Sequence, residues 1–154
     1  MGNQDFSVAF TVGQSPAEVY TAVKNVRGWW WEGLEGRSGK VGDEFTYRYE
    51  DLHRSTQKVT ELVPGRRVVW TVTKSALSFV KDTAEWDGTR LIFEISIKSG
   101  KTELRMTHVG LTSALECFDA CVKGWTYYFT QSLKRLITTG KGRPEPRKRG
   151  PVKS

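Results

Sequence analysis

Between Glu44 and Val109 the chain repeats one pattern several times: apolar residues at alternate positions, interrupted by short turn signals. Phe45, Tyr47 and Tyr49 share one parity, and a second run spans Arg54 to Val63. Pro64-Gly65 turns into Val68 to Thr73, Asp87-Gly88 precedes Leu91, Phe93, Ile95 and Ile97, and Ser99-Gly100 leads to Leu104, Met106 and His108. A period of two belongs to a strand with one buried face, and turns this short join antiparallel neighbours. After Val109 the period changes. From Ser113 to Thr139 apolar or small residues fall at 118, 121, 122, 125, 129, 133 and 136, steps that predict one amphipathic helix of roughly 40 Å, ended by Gly140. Consecutive hairpins followed by a long helix specify an α+β fold. An antiparallel sheet of six to seven strands curves around that helix and covers its apolar stripe.

The segment before the meander supplies one more strand and two short helices. Phe6, Val8, Phe10 and Val12 alternate as an edge or half-buried strand does. Ser15, Pro16 and Glu18 then form a capping box with proline at the first helical position, which starts a helix that ends near Asn25 or Val26. Arg27-Gly28-Trp29-Trp30-Trp31 predicts a second, shorter helix, and Gly33 to Gly42 a turn region. Three consecutive tryptophans do not fit one helical face, so at least one ring is expected to be exposed or to cover an opening.

A chain of 154 residues holds one domain and buries roughly 70% of its unfolded surface, enough to stand without disulfide or metal. Its net charge of +7 is uneven: six Lys/Arg against Glu145 between Lys141 and Ser154 give +5 there and leave +2 for the rest. We therefore expect a domain over 5–139 and a basic, disordered tail over 140–154, and no dedicated nucleic-acid face. The N-terminal MGNQDFSVAF lacks the layout of a signal peptide and no apolar run reaches membrane-span length. A cytoplasmic location without membrane insertion is expected. Cys117 and Cys121, four apart on one helical face, fit reduced, core-filling thiols.

Motifs of known chemistry are few. In Gly36-Arg37-Ser38-Gly39 the serine is followed directly by glycine, unlike a nucleophile elbow. Ser38-Gly39-Lys40-Val41 lacks the glycine and the Ser/Thr of a phosphate loop. His53 and His108 show no metal-ligand spacing, so no metal, cofactor or catalytic residue is assigned. Three polar residues nonetheless share parity with the apolar wall: His108 follows Leu104 and Met106, while Gln57 and Glu61 flank Val59. Buried polar groups need partners, whether protein, water or ligand. His108 reads first as a rim histidine bonded to a neighbouring element, with ligand orientation or general-base work as the alternatives.

Several strings, in order, resemble the START-like superfamily of helix-grip proteins, within it the branch named after the activator of heat-shock protein 90 ATPase homologue. They are Ser15 to Tyr20, the Trp29-Trp30 pair, Gly39 to Phe45, Val59 to Pro64, Trp86 to Thr89 and Leu104 to Leu111. The resemblance implies a cavity between the concave sheet and the C-terminal helix for a lipid, polyketide or flavonoid-like molecule. On the sheet side its walls would be Phe45, Tyr47, Val59, Trp70, Phe93 and Met106, and on the helix side Phe118, Cys121, Trp125 and Phe129. Gln57, Glu61 and His108 would orient the ligand and Trp30 would lie near the mouth. The leading expectation is binding of a small hydrophobic molecule without catalysis, by a monomer or weak dimer. The alternatives are a co-chaperone-like module that stimulates a heat-shock protein 90 ATPase, and a cyclase- or hydrolase-type enzyme using His108 or Glu61.

Overall fold

The computed structural model describes residues 5–49, 53–78, 81 and 84–144. Strand β1 (Phe6–Val12) leads into α1 (Pro16–Lys24) and the one-turn α2 (Val26–Trp29). Then come β2 (Glu35–Gly36), β3 (Glu44–Tyr49), β4 (His53–Val63), β5 (Arg67–Leu77), β6 (Arg90–Lys98) and β7 (Lys101–Val109). All seven strands form one open antiparallel sheet in the order β1-β7-β6-β5-β4-β3-β2. The first and last strands of the meander thus bring the N-terminal strand to one edge. The capping box forms as expected: the Ser15 hydroxyl accepts from the Glu18 amide at 3.2 Å and the Glu18 carboxylate from the Ser15 amide at 2.9 Å.

The C-terminal helix covers the concave face, but it is shorter than its periodicity predicts. It runs as α3 (Phe118–Thr126), a π-helical segment (Tyr127–Leu133) and α4 (Lys134–Thr139), starting five residues after Ser113. The start is fixed from outside the helix. Both oxygens of Glu85 accept backbone N–H groups, of Glu116 at 2.9 Å and of Cys117 at 3.0 Å, so the acid meets the positive end of the helix. The π-helical turn follows from the pattern itself. Cys121, Trp125, Phe129, Leu133 and Ile137 are all buried, at a constant step of four. In an α-helix such a series drifts by about 40° per step; a wider turn in its middle keeps all five against the sheet. Gly140, at φ 86°, ends the helix in the left-handed conformation.

Beyond that cap, Gly142 lies against the body, where an added Cβ would stand 2.4 Å from the Gly28 carbonyl oxygen. The Arg143 amide donates to Ser132 Oγ at 2.7 Å, and the Ser132 hydroxyl donates to the Trp29 carbonyl at 2.6 Å. The remainder of the expected tail, from 145, lies outside the described residues. Among the described residues no helix is long and apolar enough to cross a membrane.

Candidate functional site

The space between sheet and helix is lined by rings. Trp29, Trp30 and Trp31 are all buried, at 0%, 2% and 8% exposure, which corrects the expectation that one would be exposed. The reason is that α2 ends at Trp29, so the three side chains do not share a helical face. Trp30, expected near a mouth, sits at the centre. Its ring lies 4.4 Å from Tyr47 at 20°, 6.2 Å from Trp70 at 5° and 4.9 Å from Trp125. Trp70 in turn meets Phe45 and Phe93, each at 4.8 Å. Such offset and tilted pairs are worth about 0.5–1.5 kcal/mol each beyond the area they bury.

Two histidines flank a further ring. Trp86 has His53 at 4.5 Å and His108 at 4.8 Å, both edge-on, and stacks on Trp125 at 5.9 Å. His108 is completely buried and fully bonded. Trp125 Nε1–H donates to Nδ1 at 3.1 Å, which assigns the ring proton to Nε2, 2.8 Å from Thr89 Oγ1; the Thr89 hydroxyl donates onward to the Trp86 carbonyl at 2.7 Å. Burial, with a lesser contribution from His53, pushes the pKa of His108 down to about 3, and burial does the same to His53. With both nitrogens engaged and little basicity, His108 is a structural junction between β7, the loop before β6 and α3, and is not arranged as a general base.

The neighbouring thiols divide their roles. Cys117 bonds to Cys121, and Trp86 Nε1–H donates to Cys121 Sγ at 3.3 Å, so these bonds lower the pKa of Cys121 while the same pairing and burial raise that of Cys117. Both are buried free thiols.

Along β4 the expected polar residues separate. Gln57 faces inward and is fully buried, and its Nε2 donates to Ser55 Oγ at 2.6 Å; Ser55 also meets His53 Nε2 at 3.0 Å. Glu61 points the other way. Its side chain is 47% exposed and bonds Arg67 at 3.2 Å on the outer face. The expectation that it lines the interior is corrected by a β-bulge. Val59 pairs with Trp70 but Glu61 with Val69, so Thr60 is the extra residue and the parity inverts after it. An enzyme using Glu61 inside the fold therefore has no geometric basis.

Two buried atoms of the inner face have no hydrogen-bond partner: Gln57 Oε1 and Trp70 Nε1. Gln57 is opposite Val72 and Val59 is opposite Trp70, so Gln57 and Trp70 are diagonal neighbours on adjacent strands, roughly 7–8 Å apart. Around them the structure gathers Phe45, Tyr47, Val59, Phe93 and Met106 from the sheet and Cys121, Trp125 and Phe129 from the helix, all buried. Phe118 is only partly buried and packs at the margin of this core. Trp86, Thr89, His53 and Ser55 were not singled out as site residues. Trp86 to Thr89 reads simply as a turn, whereas His53 and Ser55 carry a usable signal, the parity they share with Gln57.

Comparison with known proteins places this arrangement. The model of a family described as Activator of Hsp90 ATPase homolog 1-like protein matches residues 15–138. No curated protein matches the chain. Among solved structures, that of the Aha1 dimer from Colwellia psychrerythraea is 23% identical and aligns over 90% of this chain and 99% of that one, with a TM-score of 0.72. Protein MLL2253 from Mesorhizobium loti is 16% identical over 87% of this chain and 96% of that one, TM-score 0.68. DynU16, from the dynemicin biosynthetic locus, is 17% identical over 95% of this chain and 52% of that one, TM-score 0.67. At such identities the structures establish a shared helix-grip fold, and the family match over most of the sequence adds that this chain belongs to the Activator of Hsp90 ATPase homolog 1-like family.

Proposed function

We propose that the protein binds a small, mostly apolar molecule between the concave sheet and the C-terminal helix, with no catalytic step. The observation that carries this reading is the pair of unpartnered buried atoms, Gln57 Oε1 and Trp70 Nε1, in an aromatic surrounding whose other polar groups are bonded. Leaving a buried donor or acceptor unsatisfied costs about 1–3 kcal/mol each, and a ligand with matching groups recovers that. Apolar walls with a few polar groups are the usual composition of small-molecule sites. Similarity to a protein of a biosynthetic locus supports the same reading. Trp30 occupies the middle of the ring cluster, so entry displaces it; its carrier α2 is a single turn. The protein would act in the cytoplasm as a monomer or weak dimer.

The test is a titration of the uniformly 15N-labelled protein with lipids, flavonoids and polyketide-like compounds, following the indole N–H resonances. Saturable shifts of Trp70 and Trp30 are expected, and Cys121→Trp, which adds bulk on the helix wall, abolishes them in a folded protein. Absence of saturable shifts with every class would defeat the reading. A co-chaperone module is the second reading, favoured by the family description and by similarity to the Colwellia Aha1 dimer. It requires stimulation of a heat-shock protein 90 ATPase by the purified protein.

A further inference from the structure

Resting on the reading that this interior takes a small apolar molecule, we infer that the molecule is flat and uncharged and carries a hydroxyl or lactam-type group. Gln57 Oε1 accepts from that group and Trp70 Nε1 donates to it. The first part of the argument is complementarity. One free acceptor and one free donor on diagonal positions of the same sheet face ask for a ligand that presents a donor beside an acceptor. A hydroxyl supplies both from one atom, and a lactam from two adjacent ones.

The second part is charge. Among the described residues the buried polar side chains are Ser55, Gln57, Ser75, Thr89, Thr102, His108 and Ser132; none carries a formal charge at neutral pH, and His53 is held neutral by burial as His108 is. A carboxylate placed beside Gln57 would meet an acceptor oxygen and no counter-charge, an arrangement that buried anions avoid. This separates the expected ligands from fatty acids. The third part is shape. Trp30 lies nearly parallel to both Tyr47 and Trp70, so a planar molecule that displaces the Trp30 indole inherits the same stacking surfaces, as a bent or branched one does not.

Three probes on one scaffold test this with the whole, unmodified protein at pH 7.5: 2-naphthol, naphthalene and 2-naphthoate, titrated by intrinsic fluorescence and by the Trp70 indole N–H resonance. The expected order is 2-naphthol about tenfold tighter than naphthalene, the contribution of one recovered hydrogen bond, with 2-naphthoate about a hundredfold weaker than 2-naphthol. Gln57→Leu, checked for folding by its thermal transition, brings 2-naphthol to the level of naphthalene and leaves naphthalene unchanged. Equal binding of all three probes, or tightest binding of 2-naphthoate, overturns the uncharged-handle inference while the small-molecule reading survives. Absence of binding by all three probes, together with a blank wider titration, overturns both.

Discussion

The indole N–H of Trp125 and Nδ1 of His108 are 3.1 Å apart, and the direction of that one bond determines the state of the histidine. An N–H facing Nδ1 requires a bare nitrogen, so His108 is neutral and its proton is on the Thr89 side. Folding therefore opposes protonation. The unfolded chain takes up a proton near pH 6.5 and the folded chain near 3, so stability is full above 6.5 and falls as the pH drops between those values. Each unit within that window removes about 1.4 kcal/mol, or about 2 kcal/mol between pH 7 and 5, with a smaller addition from the partly exposed His53. Urea unfolding at the two pH values measures it, and His108→Leu should flatten the dependence.

Trp125→Phe keeps a ring in the helix wall but removes the donor to His108. The expected loss is about 1–3 kcal/mol, the cost of an unsatisfied buried acceptor, read from the shift of the denaturation midpoint.

Glu85→Ala removes the acceptor for two amides at the start of α3. We expect a loss of about 1–2 kcal/mol, as for a helix cap, and faster hydrogen exchange confined to the Glu116 and Cys117 amides.

Ser132→Ala cuts two bonds at once, to the Trp29 carbonyl and from the Arg143 amide. A destabilisation of about 1–3 kcal/mol is expected. Gly142→Ala, which would press a methyl against the Gly28 oxygen at 2.4 Å, should release the same contact; faster exchange of the Arg143 amide in both variants is the check.

Glu61→Gln provides the opposite case. The Arg67 guanidinium it bonds also bonds Glu94 at 3.0 Å, and all three side chains are partly exposed. Stability should move by less than about 0.5 kcal/mol and ligand titrations should be unchanged. A large effect on binding would place Glu61 in the interior after all.

What was legible in the sequence depended on whether a local rule survived packing. The capping box at Ser15 and the turns at Pro64-Gly65 and Ser99-Gly100 rest on local chemistry and appear where the sequence places them. The parity of Gln57 and His108 also held, because neither is separated from its apolar neighbours by a bulge. Glu61 failed for the opposite reason: the bulge at Thr60 depends on how β4 pairs with β5, and nothing in Thr60-Glu61 announces it. The three tryptophans misled because a helical face was assumed for a segment that leaves the helix after its first ring. The late start at Phe118 depends on Glu85, about thirty positions earlier in sequence and invisible to any local window. The π-helical turn was open to inference, since a constant step of four between Cys121 and Ile137 contradicts an unbroken α-helix.

That wide turn makes the C-terminal third of the chain a matter of counting. Tyr127 to Leu133 advances the backbone by one extra residue per hydrogen-bonded ring, so everything after it, from Ile137 in the core to Gly142 at the Gly28 carbonyl, keeps its place only while that count is kept. Removing a single residue there would restore an ordinary helix and rotate Ile137 away from the core. In this part of the fold spacing is therefore held more tightly than residue type, and a relative that shortens the turn by one must recover the register with a compensating insertion before the cap.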